Sequence, residues 1–491
     1  MSTRTAREVP VVPGYHPDPS VCRVGEEFFL ATSTFEYAPG VPIRRSTDLV
    51  QWELLGHALT RADQWPLGTF DDSRGIFAPT LRHHDGRFWM ITTDVDGLGG
   101  QLLVTAQDPA GPWSPAVRLP DVAGIDPDLA WDADGRCLVT FCATLEPQIQ
   151  IMQVEVDPAT GASLETPRRL WSGTGLEHPE APHLYERDGW WYLMVAEGGT
   201  GRGHAVSIAR SRSPRGPFEG APHNPILSHR SLAHPVQSTG HADLVERPDG
   251  TWAILFLGTR PRGSFPGWHV NGRETFLAEV EWRDGWPHVH PSDTEVAGPE
   301  WFTETFDSWP LDPRWVSPGL LPEDFVAPAS GGGVTVSEAV APSGAASMLA
   351  ARCTEDHWRA TADVEPGAGV AALRVRMDER HWVEVRAGAG ELAGVARVGQ
   401  IEHTLARVPV DEGPARLEVR SVTSRSGGPD DLELAAHVGG ATHQLGRLDG
   451  RYLSTEVGGG FTGRVWGVRA VTGAVAVRRL AVGPLDGAST P

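Results

Sequence analysis

Five side chains suited to acid, base or binding chemistry stand at matching positions ahead of five turns in the first half of the chain. The turn glycines are Gly25, Gly86, Gly135, Gly189 and Gly250, at intervals of 61, 49, 54 and 61 residues. Seven residues before the first, and nine before each of the others, stand Asp18, Phe77, Asp126, Glu180 and His241. If the repeats close into a ring, equivalent positions face the same place, so these side chains converge on its axis. Three carboxylates, an imidazole and an aromatic ring could together cleave a glycosidic bond.

Three of these residues are carboxylates that could divide the chemistry among them. Glycoside hydrolysis requires an acid that protonates the leaving oxygen, and a second carboxylate that activates water or acts as the nucleophile. A third carboxylate beside the acid raises the pKa of that acid by repulsion between like charges. Asp18, Asp126 and Glu180 could fill these roles. A single Asp-Pro pair is more typical of a turn than of catalysis, so the hypothesis depends on the shared spacing.

Apolar runs after the turn glycines predict the strands that position these side chains. The runs are rich in aromatic and β-branched residues, which favour strands, as in residues 88–92 and 190–194. In the three middle repeats, a second glycine turn follows the first after 25 to 27 residues. Units of roughly 50 residues that hold two hairpins suit four-stranded propeller blades. We therefore predict an all-β protein that begins with a five-bladed β-propeller.

A second domain is predicted after the fifth repeat. The period ends there, and a polar, Pro-rich stretch at about residues 286–299 is typical of a linker. From Trp301 onward, strand signals alternate with turns, which indicates a β-sandwich of the concanavalin-like jelly-roll type. The predicted domains are a catalytic propeller at residues 1–295 and an accessory sandwich at residues 300–491.

Composition and charge exclude several classes of partner and chemistry. The formal net charge of −21, without a basic stripe, disfavours nucleic acid and anionic membrane surfaces. The chain has no lysine, which excludes Schiff-base chemistry and a phosphate-loop lysine. No signal peptide or membrane-length apolar run is visible, so a cytoplasmic protein is expected. The four cysteines lack metal or disulfide spacing and are interpreted as buried hydrophobes.

Several stretches of the first 290 residues resemble glycoside hydrolase family 43, in its β-xylosidase and α-L-arabinofuranosidase branch. The resemblance spans about residues 9–290, and its motifs occur in order at blade spacing. The motifs are GYHPDPS at 14–20, STFEY at 33–37, PGVPI at 39–43, GIDPDL at 124–129, EAPHLY at 180–185, AEGGT at 196–200, GHADL at 240–244 and GRETF at 272–276.

The resemblance implies a catalytic role for each of the three carboxylates. Asp18 would be the general base, Glu180 the general acid, and Asp126 the residue that raises the pKa of the acid and orients it. The family inverts the anomeric configuration, so a water must fit between base and acid.

The resemblance also implies residues that bind the substrate. Arg273 would contact sugar hydroxyls and the modulator Asp126. Phe35 would wall the subsites, although a core position is an equal alternative. Phe77 stands where the family usually has Trp, so the glycone pocket is expected to differ in shape. His241 would order a water that lies near a calcium ion in some members, although a core histidine is an equal alternative. No cofactor is required, and a calcium ion would be structural and bound mostly by water.

Four further acidic residues lie close to these motifs and are interpreted as structural. Asp128 is predicted on the same side of its strand as Asp126. Glu177 is a rival acid but lacks the nine-residue offset from a turn glycine. Glu197 and Glu274 are expected to pair with arginines.

The predicted function is removal of β-D-xylosyl units from the ends of xylo-oligosaccharides with inversion, and an α-L-arabinofuranosidase is the alternative. Both sugars present nearly superimposable hydroxyls, and the sequence leaves both open. A fructan or sucrose hydrolase also joins a propeller to a sandwich, but its Asn-Asp-Pro-Asn-Gly and Glu-Cys signatures are missing from the sequence. A non-catalytic carbohydrate-binding propeller is expected to have lost at least one of the three carboxylates. The expected partner is a small oligosaccharide, and the sequence leaves open whether the protein forms a homo-oligomer.

Overall fold

The fold is built almost wholly of β-strands, and its first part is a set of five antiparallel sheets. The computed structural model describes residues 9–97, 99–145, 148–292, 296 and 298–485. Each of the five sheets consists of consecutive strands of the chain. The five turn glycines all have positive φ angles, between 63° and 83°, and join the first two long strands of each sheet. A glycine tolerates this left-handed conformation without steric cost, which explains the repeat that the sequence shows.

The strands of the five sheets, called blades 1 to 5, have the following bounds. Blade 1 contains β1 (Ser20–Val24), β2 (Glu27–Ala31), β4 (Gly40–Ser46) and β5 (Glu53–Leu59), with β3 (Tyr37–Ala38) in the loop after β2. Blade 2 contains β6 (Gly75–Ile76), β7 (Thr80–His84), β8 (Arg87–Val95), β9 (Gln101–Ala106) and β10 (Val117–Leu119). Blade 3 contains β11 (Ile125–Trp131), β12 (Cys137–Leu145), β13 (Gln148–Val156) and β14 (Arg168–Trp171). Blade 4 contains β15 (Glu180–Arg187), β16 (Trp190–Glu197), β17 (Ala205–Ser211) and β18 (Glu219–Gly220). Blade 5 contains β19 (Gln237–Glu246), β20 (Trp252–Thr259), β21 (Glu274–Arg283) and β22 (Trp286–Pro291).

The five blades close into a ring, which is the arrangement of a five-bladed β-propeller. The inner strands β1, β7, β11, β15 and β19 contact one another in that order, and β19 returns to β1. Five separate apolar clusters fill the five gaps between neighbouring blades. Burial of these clusters is the main force that holds blade against blade, because the blades share few backbone hydrogen bonds.

A charged network at the ring axis joins all five inner strands. Arg82 on β7 donates to Asp128 on β11 at 2.7 Å and to Asp243 on β19 at 2.9 Å, and both carboxylates are fully buried. Asp243 also accepts from the hydroxyl of Ser20 on β1 and from the hydroxyl of Tyr185 on β15. One cation therefore neutralises two carboxylates at the centre of the propeller.

The second part of the chain is a sandwich of two antiparallel sheets around one apolar core. The eight-stranded sheet contains β23 (Phe302–Glu304), β25 (Val326–Pro328), β26 (Val334–Ser337), β28 (Trp358–Glu365), β33 (Ala415–Val422), β34 (Asp431–Val438), β35 (Ala441–Asp449) and β37 (Ala474–Gly483). The six-stranded sheet contains β27 (Leu349–Arg352), β29 (Val370–Asp378), β30 (His381–Gly388), β31 (Glu391–Val398), β32 (Ile401–Pro409) and β36 (Val465–Thr472). Two 3-10 turns (Pro322–Asp324 and Gly450–Leu453) and one helical turn α1 (Thr455–Gly458) complete this part.

The sandwich docks directly on the propeller. The strand β24 (Ser317–Pro318) pairs with β3 of blade 1. A mixed apolar cluster at the junction includes Tyr15 and Tyr37 from the propeller and Met348 and Val465 from the sandwich. The loops of the two parts therefore form one continuous surface on this side.

The fold class predicted from the sequence is confirmed, but the linker prediction is wrong at its start. Residues predicted as linker from Trp286 form β22, the outer strand of blade 5, because their alternating side chains pair with β21. The domain limits at 295 and 300 stay a prediction, and residues 1–8, 293–295 and 486–491 lie outside the described residues. The four cysteines are buried and unpaired, as predicted. No helix in the described residues is long and apolar enough to span a membrane.

The axial network gives a test of what holds the ring together. Replacement of Arg82 by methionine leaves two buried carboxylates without a counter-charge, and we expect it to lower the free energy of unfolding by about 3–5 kcal/mol. Denaturant unfolding followed by tryptophan fluorescence measures this loss. Arg45→Met is the control, because Arg45 forms an exposed ion pair with Glu53 and should cost under about 1 kcal/mol. Equal losses in the two variants would show that the axial network does not stabilise the ring.

Candidate active site

The predicted site residues lie where the inner strands begin, and irregular backbone directs them toward the axis. The pairing of β11 with β12 shifts register between Ile125 and Asp128, and that of β15 with β16 shifts between Glu180 and His183. The pairing of β19 with β20 shifts on both sides of Gly240. Such bulges bend a strand and redirect one side chain, and they are frequent beside active sites.

The same positions carry unusual backbone conformations. Asp18, Asp126 and His241 have φ angles of 57°, 55° and 41°, and Ala181, next to Glu180, has 51°. Residues other than glycine rarely adopt this left-handed region, and where they do the strain is commonly associated with function. A proline follows Asp18, Asp126 and Ala181, and its missing N–H interrupts the strand ladder there.

Asp18 is a buried carboxylate that is surrounded by hydrogen-bond donors. Its Oδ2 accepts from the hydroxyl of Ser33 at 2.5 Å, and its Oδ1 lies 3.3 Å from Nη1 of Arg273 and 3.4 Å from Nδ1 of His241. Burial raises the pKa of Asp18, but the charge of Arg273 and the hydrogen bond from Ser33 lower it below its usual range. Asp18 is therefore ionised at neutral pH and suited to accept a proton from water.

Glu180 has the opposite electrostatic environment. Its side chain is 22% exposed, and burial and the negative charge of Asp18 raise its pKa to about 7 against the attraction of Arg273. Asp126 accepts a hydrogen bond from the backbone N–H of Ala181 at 3.1 Å, and burial with the charges of Glu180 and Asp18 raises its pKa well above the usual value. Asp126 and Glu180 thus titrate together, and the pair retains a proton at neutral pH.

Arg273 links the base to the walls of the pocket. Its Nη1 donates to the hydroxyl of Thr200 at 2.9 Å as well as to Asp18, and its Nη2 donates to the backbone oxygen of Phe461 at 3.4 Å. In the part of the chain that the structure describes, Arg273 makes no hydrogen bond to Asp126, although the resemblance implied contact with it. Thr200 and Phe461 hold the guanidinium fork on the side of Asp18.

Three phenylalanines form one wall of the site, and one of them comes from the sandwich. The ring centroid of Phe35 lies 5.4 Å from that of Phe77 and 5.7 Å from that of Phe461. Phe35 is only 2% exposed, whereas Phe77 and Phe461 are half-buried. The ring surface that a sugar could contact therefore belongs mainly to Phe77 and Phe461, and Phe35 supports them from below.

A buried polar network fixes the sandwich loop that carries Phe461. The backbone N–H of Phe461 donates to the hydroxyl of Ser73 at 2.9 Å, and the backbone N–H of Ser73 donates to Glu36 at 2.9 Å. Arg376 of the sandwich, which is fully buried, donates to the hydroxyl of Tyr37 at 2.6 Å and contacts Glu36. These bonds fix the position of the Phe461 ring relative to blade 1.

His241 lies beside Asp18, and its surroundings do not fit a calcium ion held by protein oxygens. Burial lowers the pKa of His241 to about 4, so the ring is neutral at neutral pH. No group of three or more His, Cys, Asp or Glu among the described residues is arranged to hold a metal ion. The nearby axial carboxylates Asp128 and Asp243 are already bound by Arg82. Whether a hydrated calcium ion binds beside His241 stays a prediction.

Three of the four further acidic residues have structural partners, and the fourth, Glu177, is exposed. Asp128 binds Arg82 at the axis, and Glu274 pairs with Arg260 at 2.6 Å as expected. Among the described residues Glu197 does not pair with an arginine, which corrects the sequence interpretation. Its carboxylate instead accepts from the backbone N–H and the hydroxyl of Thr174, because this buried position favours a neutral donor from the adjoining loop.

Sequence reasoning missed three residues of the site, Ser33, Ser73 and Thr200. Ser33 and Thr200 lie within the motifs at 33–37 and 196–200. Serine and threonine are common throughout the chain, so their type and spacing alone do not identify them as site residues. Phe461 follows three glycines in the second domain, and only the docked structure shows that its ring reaches the pocket.

The comparisons with known proteins agree with this geometry. The model of "Glycosyl hydrolases family 43" matches residues 8–287, and that of "Beta xylosidase C-terminal Concanavalin A-like domain" matches residues 303–478. The chain therefore belongs to glycosyl hydrolase family 43.

Individual relatives are similar over different shares of their length. A xylosidase/arabinosidase of Butyrivibrio fibrisolvens is 43% identical over 347 residues, which are 64% of this chain and 65% of the relative. A non-reducing end α-L-arabinofuranosidase of Bacteroides ovatus is 46% identical over 286 residues, 57% of this chain and 53% of the relative. The matches thus span less than two thirds of these curated relatives.

Solved structures match nearly the whole chain. The "Xyloglucan PUL GH43B" protein of Bacteroides ovatus superposes with a TM-score of 0.88 at 32% identity, covering 98% of this chain and 100% of that one. A xylan β-1,4-xylosidase of Bacillus halodurans gives 0.87 at 28% identity, covering 97% and 99%. Both propeller and sandwich are therefore shared with these proteins.

The position of Phe461 predicts that the sandwich takes part in substrate binding. Phe461→Ala should raise KM about three- to tenfold with a smaller change in kcat, because a stacked ring contributes about 0.5–1.5 kcal/mol. Steady-state kinetics on an aryl glycoside measure the effect. Tyr452→Ala, at an exposed aromatic of the same domain, should leave both constants unchanged. An unchanged KM in Phe461→Ala would remove the sandwich from the site.

The opposite pKa shifts of Glu180 and Asp18 predict opposite effects on stability. The folded protein keeps a proton on Glu180 that the unfolded chain loses above its ordinary pKa of 4.5, so this group's stabilisation is lost as pH rises through about 7. Glu180→Gln should therefore stabilise the protein by about 1–3 kcal/mol at pH 8, and by much less at pH 4.5. Asp18→Asn should instead destabilise it at pH 8, because the ionised form of Asp18 is the favoured one. Calorimetric melting at pH 8 and at pH 4.5 measures these effects. A Glu180→Gln variant that is no more stable than the parent at either pH would contradict the assignment.

Proposed function

We propose that this protein is an inverting exo-glycosidase that removes β-D-xylosyl units from the ends of xylo-oligosaccharides. The observation that supports it most is the pair of carboxyl groups, Asp18 and Glu180, whose pKa values are shifted in opposite directions within one pocket. Two carboxyl groups of separated pKa are what acid and base catalysis of glycoside hydrolysis requires.

The proposed reaction is a single displacement at the anomeric carbon. Glu180 donates its proton to the glycosidic oxygen as the bond between that oxygen and the anomeric carbon breaks, and the shortened sugar leaves as an alcohol. Asp18 accepts a proton from a water that attacks the anomeric carbon from the opposite face. Water must fit between the two carboxyl groups, which predicts a separation of roughly 6.5–9.5 Å with substrate bound. Arg273 keeps Asp18 ionised and oriented during this step.

Asp126 is proposed to keep the proton on the acid. Its carboxyl titrates together with that of Glu180, and its hydrogen bond from Ala181 ties it to the backbone of the acid. A negative charge on Asp126 makes ionisation of Glu180 less favourable. After Glu180 has given up its proton, the same repulsion favours uptake of a new proton from water.

An α-L-arabinofuranosidase is the second candidate activity. It is supported by the 46% identity to the arabinofuranosidase of Bacteroides ovatus, which is slightly higher than the identity to the Butyrivibrio fibrisolvens xylosidase/arabinosidase. The phenylalanine wall and Arg273 can accept either sugar, since the two present similar hydroxyls. The name of the latter relative covers both activities.

Parallel assays with 4-nitrophenyl β-D-xylopyranoside, 4-nitrophenyl α-L-arabinofuranoside and xylobiose test the proposal. Cleavage of the xyloside and of xylobiose supports a β-xylosidase, whereas dominant cleavage of the arabinoside selects the second candidate. Binding of a sugar without cleavage of any of the three would overturn the proposal in favour of a non-catalytic propeller.

Variants at the two carboxyl groups test their separate roles. Asp18→Asn should lose activity on all three substrates by about 10²–10⁴-fold, and Glu180→Gln should lose as much on xylobiose. Glu180→Gln should retain more activity on the aryl xyloside, because nitrophenol leaves without full protonation. Glu177→Gln is the matched control at an exposed glutamate nearby and should behave as the parent. Full activity of Glu180→Gln on xylobiose is the result that would remove it as the acid.

A further inference from the structure

A buried histidine that the proposed reaction does not use lies beside the carboxyl group of Glu180. His204, just before β17, is 1% exposed, and its Nε2 is 3.8 Å from Oε1 of Glu180. In the described part of the chain this nitrogen has no hydrogen-bond partner. An unpaired buried nitrogen that faces a catalytic carboxyl calls for an explanation.

The tautomer of His204 follows from its other nitrogen. Nδ1 lies 3.2 Å from the backbone oxygen of Ser238, which can only accept, so Nδ1 carries the proton. Burial, which dominates, and the charge of Arg273 lower the pKa of His204 to about 3, so the ring stays neutral. Nε2 therefore presents a lone pair, and not a proton, to Glu180.

The ring of His204 packs directly against the backbone of Gly240. A Cβ atom at Gly240 would lie 2.3–2.4 Å from three ring atoms of His204, so only glycine permits the ring to lie there. Gly240 stands in the bulge of β19 beside His241. The irregular strand that directs His241 toward the axis thus also makes space for His204.

The two catalytic carboxyl groups differ in the hydrogen-bonding groups that surround them. Asp18 accepts from Ser33 and Arg273. Among the described residues no donor reaches the carboxyl of Glu180, and the one polar ring atom that faces it is an acceptor. A carboxylate gains nothing from an acceptor, whereas a protonated carboxyl can donate to it.

We propose that His204 is a positioning residue for the general acid, and that its Nε2 accepts a hydrogen bond from the protonated carboxyl of Glu180. This inference rests on the proposed function of Glu180. The 3.8 Å between Nε2 of His204 and Oε1 of Glu180 must shorten by roughly 1 Å for a hydrogen bond to form. Catalytic hydrogen bonds often tighten in this way only when substrate binds. Because His204 is a weak base, it does not remove the proton, which passes to the glycosidic oxygen when the substrate arrives.

Other charged groups face the same carboxyl and act together with His204. Asp18 raises the pKa of Glu180 by repulsion and Arg273 lowers it, while the charges of Glu180 and Asp18 raise the pKa of Asp126. The thiol of Cys142 lies close to Asp126 and Glu180, but burial and their charges keep it protonated. His204 differs from all of these because it acts on the protonated form through a directed hydrogen bond.

The pH dependence of kcat/KM tests the inference with His204→Phe, which removes the acceptor and keeps the volume of the ring. The substrate is xylobiose, or the aryl arabinoside if the parent prefers it. We expect the alkaline limb to move down by about half to one pH unit, the value of one lost hydrogen bond, while the acid limb stays in place. The loss at pH 8 should be smaller on the nitrophenyl glycoside, which needs less help from the acid.

His57→Phe is the matched control, because His57 is another buried histidine whose pKa is lowered to about 3 and which does not face Glu180. The control should keep the parent's pH profile. A His204→Phe profile with an unshifted alkaline limb, or an equal fall in kcat/KM at every pH and on both substrates, would show a merely structural role and overturn the inference.

A second measurement on the unmodified protein does not depend on activity or on the folding of a variant. In the ¹⁵N spectrum of histidine-labelled protein, His204 should show an unprotonated Nε2 and a protonated Nδ1. The chemical shift of its Nε2 should change in a single transition, at the pH where Glu180 ionises. A protonated Nε2, or a signal that does not respond between pH 5 and 9, would contradict the inference. If the step is present but the parent cleaves none of the three substrates, the proposed function fails and the hydrogen bond stands.

Discussion

Burial and mutual repulsion of three neighbouring carboxyl groups form the constraint on which the rest of the site depends. Asp18, Asp126 and Glu180 lie too close together for all three to ionise at neutral pH. Arg273 and Ser33 donate hydrogen bonds to Asp18 and stabilise its negative charge, while no hydrogen-bond donor in the described part of the chain reaches the carboxyl of Glu180. The proton therefore stays with the pair Asp126 and Glu180. The pocket thus obtains one base and one acid from side chains whose ordinary pKa values in water are similar.

The scaffold maintains this arrangement at a cost in local backbone strain. Left-handed residues and strand bulges direct the side chains toward the axis, and such conformations persist only where the surrounding structure is firm. Five apolar clusters between the blades and the Arg82 network below the site supply that firmness. The sandwich completes the site from outside the ring, since Phe461 covers Phe35 and accepts a hydrogen bond from Arg273.

The repeat spacing predicted the ring and the five residues on it because both follow from local chemistry. A turn glycine, the apolar run after it and the residue seven or nine positions before it all lie within or directly before one hairpin. Phe461 and Ser73 could not be found in this way, because they meet through the docking of two domains and are 388 residues apart in the chain. The interpretation of Trp286 as linker failed for a related reason: an outer strand is polar on one face and resembles a loop. The sequence left Phe35 open between a subsite wall and the core, and only packing shows that two other rings cover it.

The configuration of the sugar at the moment of release tests the central claim most directly. The claim is that Asp18 activates a water on the face opposite to the acid Glu180, so that hydrolysis is a single displacement. Proton NMR of a β-xyloside reaction, recorded before the sugar mutarotates, should show the α-anomer of xylose first. First appearance of the β-anomer would mean retention, with Asp18 or Asp126 as a nucleophile, and would contradict the account.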